Sequence, residues 1–353
     1  IETEPDGGRV DARVSRSTGG AQRVTVPLEV ISSGGDAVPG PVVVGERIIE
    51  GRSLGQIAWM RLKRDRVAIG GGIVVVILIL VAVFAPLIVK LLGHPPNQFH
   101  YAQVNADRQV PIGRFGGISR HFLFGVEPVN GRDLFSRVVY GSRVSLLIGF
   151  LATLVSVVLG TVMGMIAGYF GGWVDTFISR LMDVFLAFPV LLFALALAGV
   201  IPDSAFGLSG NALRIAVIIF IIGFFNWPYI GRLMRGQTLS LREREFVDAA
   251  RSLGAKRSYI LYREVLPNLV APILVYSTLL IPTNILFEAA LSFLGVSVRP
   301  PQPTWGGMLS DATSFYQIDA EFLFPAGLAI FVTVLAFNLL GDGLRDALDP
   351  RSR

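Results

Sequence analysis

The stretch Val67-Ala-Ile-Gly-Gly-Gly-Ile-Val-Val-Val-Ile-Leu-Ile-Leu-Val-Ala-Val-Phe-Ala-Pro-Leu-Ile-Val89 carries no charged side chain and lies between Arg66 and Lys90. About 20 helical residues, at 1.5 Å each, cover roughly 30 Å, the thickness of a bilayer's hydrocarbon core. A charge at the centre of such a span costs about 2.5–3.5 kcal/mol on insertion scales, so this run reads as a membrane helix. Five further stretches are equally clean. They are 144–174, whose Gly168-Tyr-Phe-Gly-Gly172 end reads as a turn, 184–201, 215–231, the gap between Glu264 and Glu288, and the gap between Glu321 and Asp342. The expected fold class is an all-α membrane protein with six transmembrane helices.

Composition agrees. Of 353 residues, 52% are hydrophobic and 16% charged, against about 25% charged in soluble domains. With no cysteine, disulfides, zinc-thiolate sites, iron–sulfur clusters and cysteine nucleophiles are excluded. The net charge of +5 fits basic cytoplasmic loops better than nucleic acid, so no nucleic-acid partner is expected. Basic residues crowd Arg61, Lys63, Arg64 and Arg66, the segment from Arg232 to Arg263, and the tail at Arg345, Arg351 and Arg353. The positive-inside rule then predicts both termini in the cytoplasm of a multi-pass protein of the bacterial cytoplasmic membrane. The first outer loop, 93–140, disagrees, with Arg108, Arg114, Arg120, Arg132 and Arg137, and Arg143 just beyond it.

Residues 1–50 are polar and punctuated by Gly19-Gly20, Gly34-Gly35 and Pro39-Gly40, which predicts a flexible extension without a cleaved signal. Residues 51–66 set Leu54, Ile57, Trp59 and Leu62 among basic residues, the pattern of an amphipathic elbow helix lying on membrane lipids. The membrane domain is expected over 67–353.

The loop at 240–268 contains Glu245-Phe-Val-Asp-Ala-Ala-Arg-Ser-Leu-Gly254 and ends at Leu266-Pro267. Phe246, Ala249, Ala250 and Leu253 recur at helical spacing, and Gly254 follows where a helix C-terminus favours glycine. Pro267 is expected to start the next membrane helix. Asp248-Ala-Ala, three residues, Gly254, then Leu266-Pro267 resembles the "EAA" loop of bacterial binding-protein-dependent ABC importers, with Asp248 where the family usually has Glu. Further segments are similar to the C-type permease subunit of dipeptide and oligopeptide importers and their nickel-importing relatives. These are Phe124-Gly-Val-Glu-Pro-Val-Asn-Gly-Arg-Asp133-Leu-Phe-Ser-Arg137, Gly168-Tyr-Phe-Gly-Gly-Trp-Val-Asp175, Glu288-Ala-Ala-Leu-Ser-Phe-Leu-Gly295 with Pro300-Pro-Gln-Pro-Thr-Trp-Gly306, and Asn338-Leu-Leu-Gly-Asp-Gly-Leu-Arg-Asp-Ala-Leu-Asp-Pro350.

The resemblance covers roughly residues 50–353 and implies a type I ABC importer (MetI-like) permease fold. It implies that Phe246, Asp248, Ala249, Ala250, Leu253, Gly254, Leu266 and Pro267 form the coupling loop that docks on an ATPase. The implied partners are a second homologous permease subunit, two ATPase subunits and an external substrate-binding protein. Peptides are the leading implied cargo, with nickel or another small solute as the alternative. No cofactor is expected on this chain, ATP and Mg being bound by the ATPase subunits.

The residues add their own constraints. None of Lys63, Lys90 and Lys256 follows a glycine, so a P-loop is absent and the chain is expected to be a transport subunit, not an enzyme. Gly51-Arg-Ser-Leu-Gly55 matches a nucleophile-elbow pattern only by chance, since a polar glycine-rich tail precedes it. His94, His100 and His121 read as solvated loop residues, and no metal site is expected. Asp183 reads as an i,i+3 partner of Arg180. Glu288, near the end of the fifth span, lines a translocation path or pairs between subunits. Gly160, Gly164 and Gly168 form a small-residue face for close helix packing. Pro228 should kink the fourth span. A proton-coupled secondary transporter would need mid-membrane acids and inverted repeats, and neither is evident.

Overall fold

The computed structural model describes residues 59–348, apart from Arg114, Gly199, Ile201, Asp203 and Ser297. The expected extension at 1–50, most of the elbow helix and the chance Gly51–Gly55 motif lie outside the described residues; 59–62 are helical. The Asp65 carboxylate caps the first membrane helix, α1 (Arg66–Val83), accepting from the backbone N–H groups of Val67 and Ala68. Phe84 interrupts the first uncharged run, and α2 (Ala85–Leu92) continues with Pro86 in its first turn. The remaining elements are α3 (Leu134–Phe170), α4 (Gly172–Ala187), α5 (Val190–Ala198), α6 (Gly210–Arg242), α7 (Glu245–Ser252), α8 (Arg257–Phe293), α9 (Trp305–Ala312) and α10 (Leu323–Leu348). Before α6, strands β1 (Ser204–Ala205) and β2 (Leu208–Ser209) form a two-residue antiparallel ribbon, pairing Ser204 with Ser209 and Ala205 with Leu208.

Five helices are long and apolar enough to cross a membrane, and α4 with α5 makes a sixth span if the bent pair counts as one. That pair departs from the expected straight span at 184–201. α4 begins at Gly172, the chain becomes extended at Phe188 (φ −74°, ψ 129°), and α5 leaves at 73°. The cause is Pro189, whose ring disfavours the helical conformation in the residue before it. By contrast, Pro228 does not end α6, nor Pro272 and Pro282 α8. The expected turn at 168–172 is also shorter than its sequence suggested: helix persists through Phe170, and only Gly171 and Gly172 take positive φ.

Gly168 instead belongs to a contact. A β-carbon on Gly160 would lie 2.7 Å from the Trp227 carbonyl oxygen, on Gly164 2.5 Å from that of Gly231, and on Gly168 2.7 Å from that of Arg235. The small-residue face is thus where α3 meets the α6 backbone directly. Toward one end of this pair, Ile148, Ile218, Ile221, Ile222 and Leu291 form a buried cluster with α8. Toward the other, Met165, Tyr169 and Met234 pack with Val247, Ile260, Val265 and Leu269. α1 lies along α10, where a β-carbon on Gly71 would come 2.8 Å from the Ala336 carbonyl oxygen.

Gly164→Val should therefore lower the melting temperature of the purified protein sharply, since overpacking costs about 1–3 kcal/mol even where side chains can yield, and here a backbone faces the new atoms. Gly70→Ala, on a helix face with nothing within 4 Å, should leave the melt unchanged or raise it slightly.

Candidate functional site

α7 stands in the loop between α6 and α8, with Glu245 and Asp248 in its first turn and Arg251 in its last, the arrangement that suits the helix dipole. Val247 is fully buried, in the cluster built on Met165, Tyr169 and Met234, and Ala250 packs against the same cluster. The expected face of Phe246, Ala249, Ala250 and Leu253 is therefore divided. Ala250 turns inward beside Val247, while Phe246, Ala249 and Leu253 point out, Leu253 with 88% of its surface exposed. Val247 is the anchor that sequence reading missed, because positions three and four apart fit either face equally well.

The end of α7 is a Schellman motif. Gly254 has φ +78°, its N–H donates to the Arg251 carbonyl, and the N–H of Ala255 donates to that of Ala250. A β-carbon at Gly254 would meet nothing within 4 Å, so the requirement for glycine is conformational. Asp248 pairs with Arg251 at 3.0 Å on the exposed side, a contact of small energetic weight.

Pro267 stands in the first turn of the α-helical stretch Leu266–Phe293, as expected from sequence, but that stretch runs on without a break from the turn before it, inside α8. The preceding turn, Ile260–Val265, widens to a π-helix, with the N–H of Leu266 donating to the carbonyl of Leu261. This extra residue accommodates a proline that can neither donate nor tolerate the carbonyl four residues back. Leu266 packs inward and Pro267 is exposed. Between α7 and this turn lies an open groove of about 710 Å³, lined by Leu253, Gly254, Lys256, Tyr259, Tyr262 and Arg263 among others.

Glu288 lies toward the opposite end of α8 and is 1% exposed. It accepts hydrogen bonds from Ser145 on α3 (3.1 Å) and Ser292 on its own helix (2.9 Å), with Thr304 as a third donor. The Ser145 hydroxyl in turn accepts from the Trp305 N–H at 3.2 Å. Within this chain the carboxylate ties α3, α8 and the start of α9 together.

Comparison with known proteins decides the family. Residues 160–353, more than half the chain, match the model described as "Binding-protein-dependent transport system inner membrane component". The chain belongs to this family. Residues 53–111 match the N-terminal transmembrane domain of oligopeptide transport permease C. A dipeptide transport system permease protein of Alkalihalophilus pseudofirmus is 43% identical over 84% of this chain and 90% of that protein. A glutathione transport system permease protein of Salmonella paratyphi A is 45% identical over 83% and 89% respectively. A chain of a methionine ABC transporter in an inward-facing conformation aligns with a TM-score of 0.46 at 17% identity, covering 61% of this chain and 98% of that chain.

In this permease the Phe124–Arg137 segment holds a buried ion cluster. Glu127 pairs with Arg132 and, at 3.1 Å, with Arg137. All three are at least 90% buried. Asp133 caps α3, accepting from the Phe135 N–H and the Ser136 hydroxyl, and also holds the His94 N–H at 3.0 Å. The histidines are not uniformly solvated: the His94 and His100 rings lie 5.0 Å apart, both against Phe122, while His121 is exposed. Asp183 does meet Arg180 at 3.8 Å, but Arg232 on α6 is nearer, at 2.5 Å. A further polar network went unread in the sequence. Asn226 on α6 donates to Asn284 on α8, and Asn284 donates to Thr153 on α3, each at 2.9 Å. Its only signal was an asparagine within each of two uncharged runs.

Two outcomes follow from these buried charges. Glu127→Ala should destabilise the protein by about 3–5 kcal/mol, because it strands two buried guanidinium groups, and denaturation in detergent would show a large fall in midpoint. Asp319, just before α10, is buried beside Glu321, and burial, a hydrogen bond to Glu321 and that residue's charge push its carboxyl from 3.8 up to about 6. A raised acid pKa stabilises the fold below 3.8, and that stabilisation is lost as pH rises through about 6. The melting temperature should fall across this window, and Asp319→Asn should flatten the dependence.

Proposed function

We propose that this permease subunit moves peptides across the cytoplasmic membrane by alternating access, driven by separate ATPase subunits that dock on the exposed face of α7. One observation carries the docking reading: α7 is fixed to the membrane helices by Val247, yet presents Phe246, Ala249 and Leu253 outward beside an open groove. A contiguous apolar patch rimmed by polar residues marks an interaction site, and these three side chains share one exposed side of α7. Asp248 and the Schellman turn at Gly254 then set the angle of that face, and Leu266 and Pro267 carry its displacement into α8. Peptide cargo is supported by the relatives named for dipeptide and glutathione transport.

On this reading the assembly holds a second homologous permease, two ATPases that bind ATP and Mg, and an external substrate-binding protein. The loop with α7 and both termini face the cytoplasm, and Glu288 is a structural clamp, not a group on the path. This chain hydrolyses nothing by itself.

Replacing Gly254 with valine tests the coupling. A left-handed β-branched residue costs about 1–2 kcal/mol, enough to turn the α7 face without touching the core. The assembled Gly254→Val transporter should still accept the loaded binding protein, yet lose peptide uptake and stimulated ATP hydrolysis together. Normal transport, or a defect confined to capture of the binding protein, would overturn the proposal. The purified chain alone should show no nucleotide turnover.

A further inference from the structure

A groove of about 600 Å³ opens between the α4–α5 break, α6 and α8, lined by Phe185, Phe225, Asn226, Tyr229, Tyr276 and Thr283 among others. Its volume is in the range of small-molecule sites, about 300–1,000 Å³. Tyr229 and Thr283 lie within membrane-spanning helices and are both exposed, Tyr229 to 63%. The Tyr229 hydroxyl has no hydrogen-bond partner among the described residues, whereas Thr283 bonds back to the Leu279 carbonyl. A phenol left unpaired against hydrocarbon is unfavourable, so this surface faces water or a polar solute during the working cycle.

The backbone points the same way. All three walls carry proline: Pro189 at the α4–α5 break, Pro228 in α6 and Pro282 in α8. Proline deprives the carbonyl four residues earlier of its helical donor, which leaves Phe224 and Thr278 acceptors without one. Interrupted helix at membrane depth is tolerated where it lines a cavity or is covered by protein. The Asn226–Asn284–Thr153 network pins the α6 and α8 walls to α3.

The lining chemistry selects the solute. None of the lining residues is acidic, basic, histidine or methionine, so the wall offers no imidazole, thioether or carboxylate to a divalent transition-metal ion and no fixed charge to hold an ionised group. It offers neutral hydrogen-bonding groups and the aromatic faces of Phe185, Phe225 and Phe287. We infer that this groove is the chain's wall of the translocation path, and that Tyr229, Tyr276 and Thr283 contact the amide backbone of a passing peptide while the aromatic rings admit varied side chains. Such contacts are weak and distributed, as passage requires. The inference rests on the peptide-importer reading above and assigns the residues that reading lacks.

The absence of cysteine makes a direct test possible. Tyr229→Cys and Thr283→Cys would be introduced singly and the assembled transporter placed in proteoliposomes with a charged, water-requiring thiosulfonate reagent. Val76→Cys, on an exposed face of α1, is the comparison. Labelling at 229 and 283 should be several-fold faster than at 76, should change with ATP, and should slow when peptide-loaded binding protein is cycling. A Tyr229→Phe transporter should keep its ATPase coupling while its KM for peptide uptake rises. Absence of labelling at both positions in every nucleotide state, which a covering subunit or lipid would produce, overturns the inference, as does labelling indifferent to peptide. Uptake by the parent transporter separates the two proposals: peptide uptake with an unlabelled groove removes only the path assignment, whereas a parent that takes up no peptide removes the peptide reading and this one with it.

Discussion

Gly160, Gly164 and Gly168 let the backbone of α3 touch that of α6, with no side chain between them. Lipid tails are as apolar as leucine, so membrane helices associate through close packing and hydrogen bonds more than by hiding from solvent. This contact fixes where the ends of α6 can lie. At one end, Met165 and Tyr169 of α3 join Met234 of α6 in the pocket that receives Val247. At the other, Ile148, Ile218 and Ile222 define the wall against which α8 packs. The proposed docking helix and the proposed path wall are consequently held by one interface.

Polar groups then fix register where apolar packing alone would permit sliding. Glu288 accepts from Ser145, Ser292 and Thr304, and the Asn226–Asn284–Thr153 chain joins three helices at another level. Each bond contributes modestly, about 0.6 kcal/mol on average between membrane helices. An axial slip of one helix would break several at once. The Glu127 cluster does comparable work beyond the membrane helices: it orders the segment that caps α3, so that the long helix starts ten residues before its uncharged stretch begins.

Much of this was legible in the sequence, and the failures have physical causes. Charge-free runs located α1, α3, α6, α8 and α10, because ionised side chains are excluded from hydrocarbon by several kcal/mol whatever the tertiary structure. The same rule misplaced the third span. α4 tolerates Asp175, Arg180 and Asp183 because Arg235 and Arg232 of α6 pair with two of them, a compensation invisible to one-dimensional counting. Gly254 was readable since only glycine fits a left-handed helix cap at no cost. Val247 was not, because the side of a short helix that faces inward is set by partners distant in the chain. Pro267 marked the start of the α-helical stretch Leu266–Phe293 as read, but not that a π turn would carry the helix on across this boundary.

Prolines also mark where the fold departs from local rules. Five stand inside the helices from α4 to α8 or at the break between α4 and α5, at positions 189, 228, 267, 272 and 282. Each removes a backbone bond that a membrane helix would otherwise keep, and the bilayer supplies no water to replace it. Three of them belong to the elements that wall the aromatic groove, and a fourth follows the π turn beside α7. By contrast, α3 contains no proline over its whole length and carries the glycine contact. The chain is therefore built as an uninterrupted helix, α3, to which interrupted ones are fastened at fixed points. In the proposed coupling mechanism, a push on α7 enters α8 at its π turn. It can be taken up at Pro272 and Pro282, where the helical ladder is already incomplete, without disturbing the packing of α3 on α6.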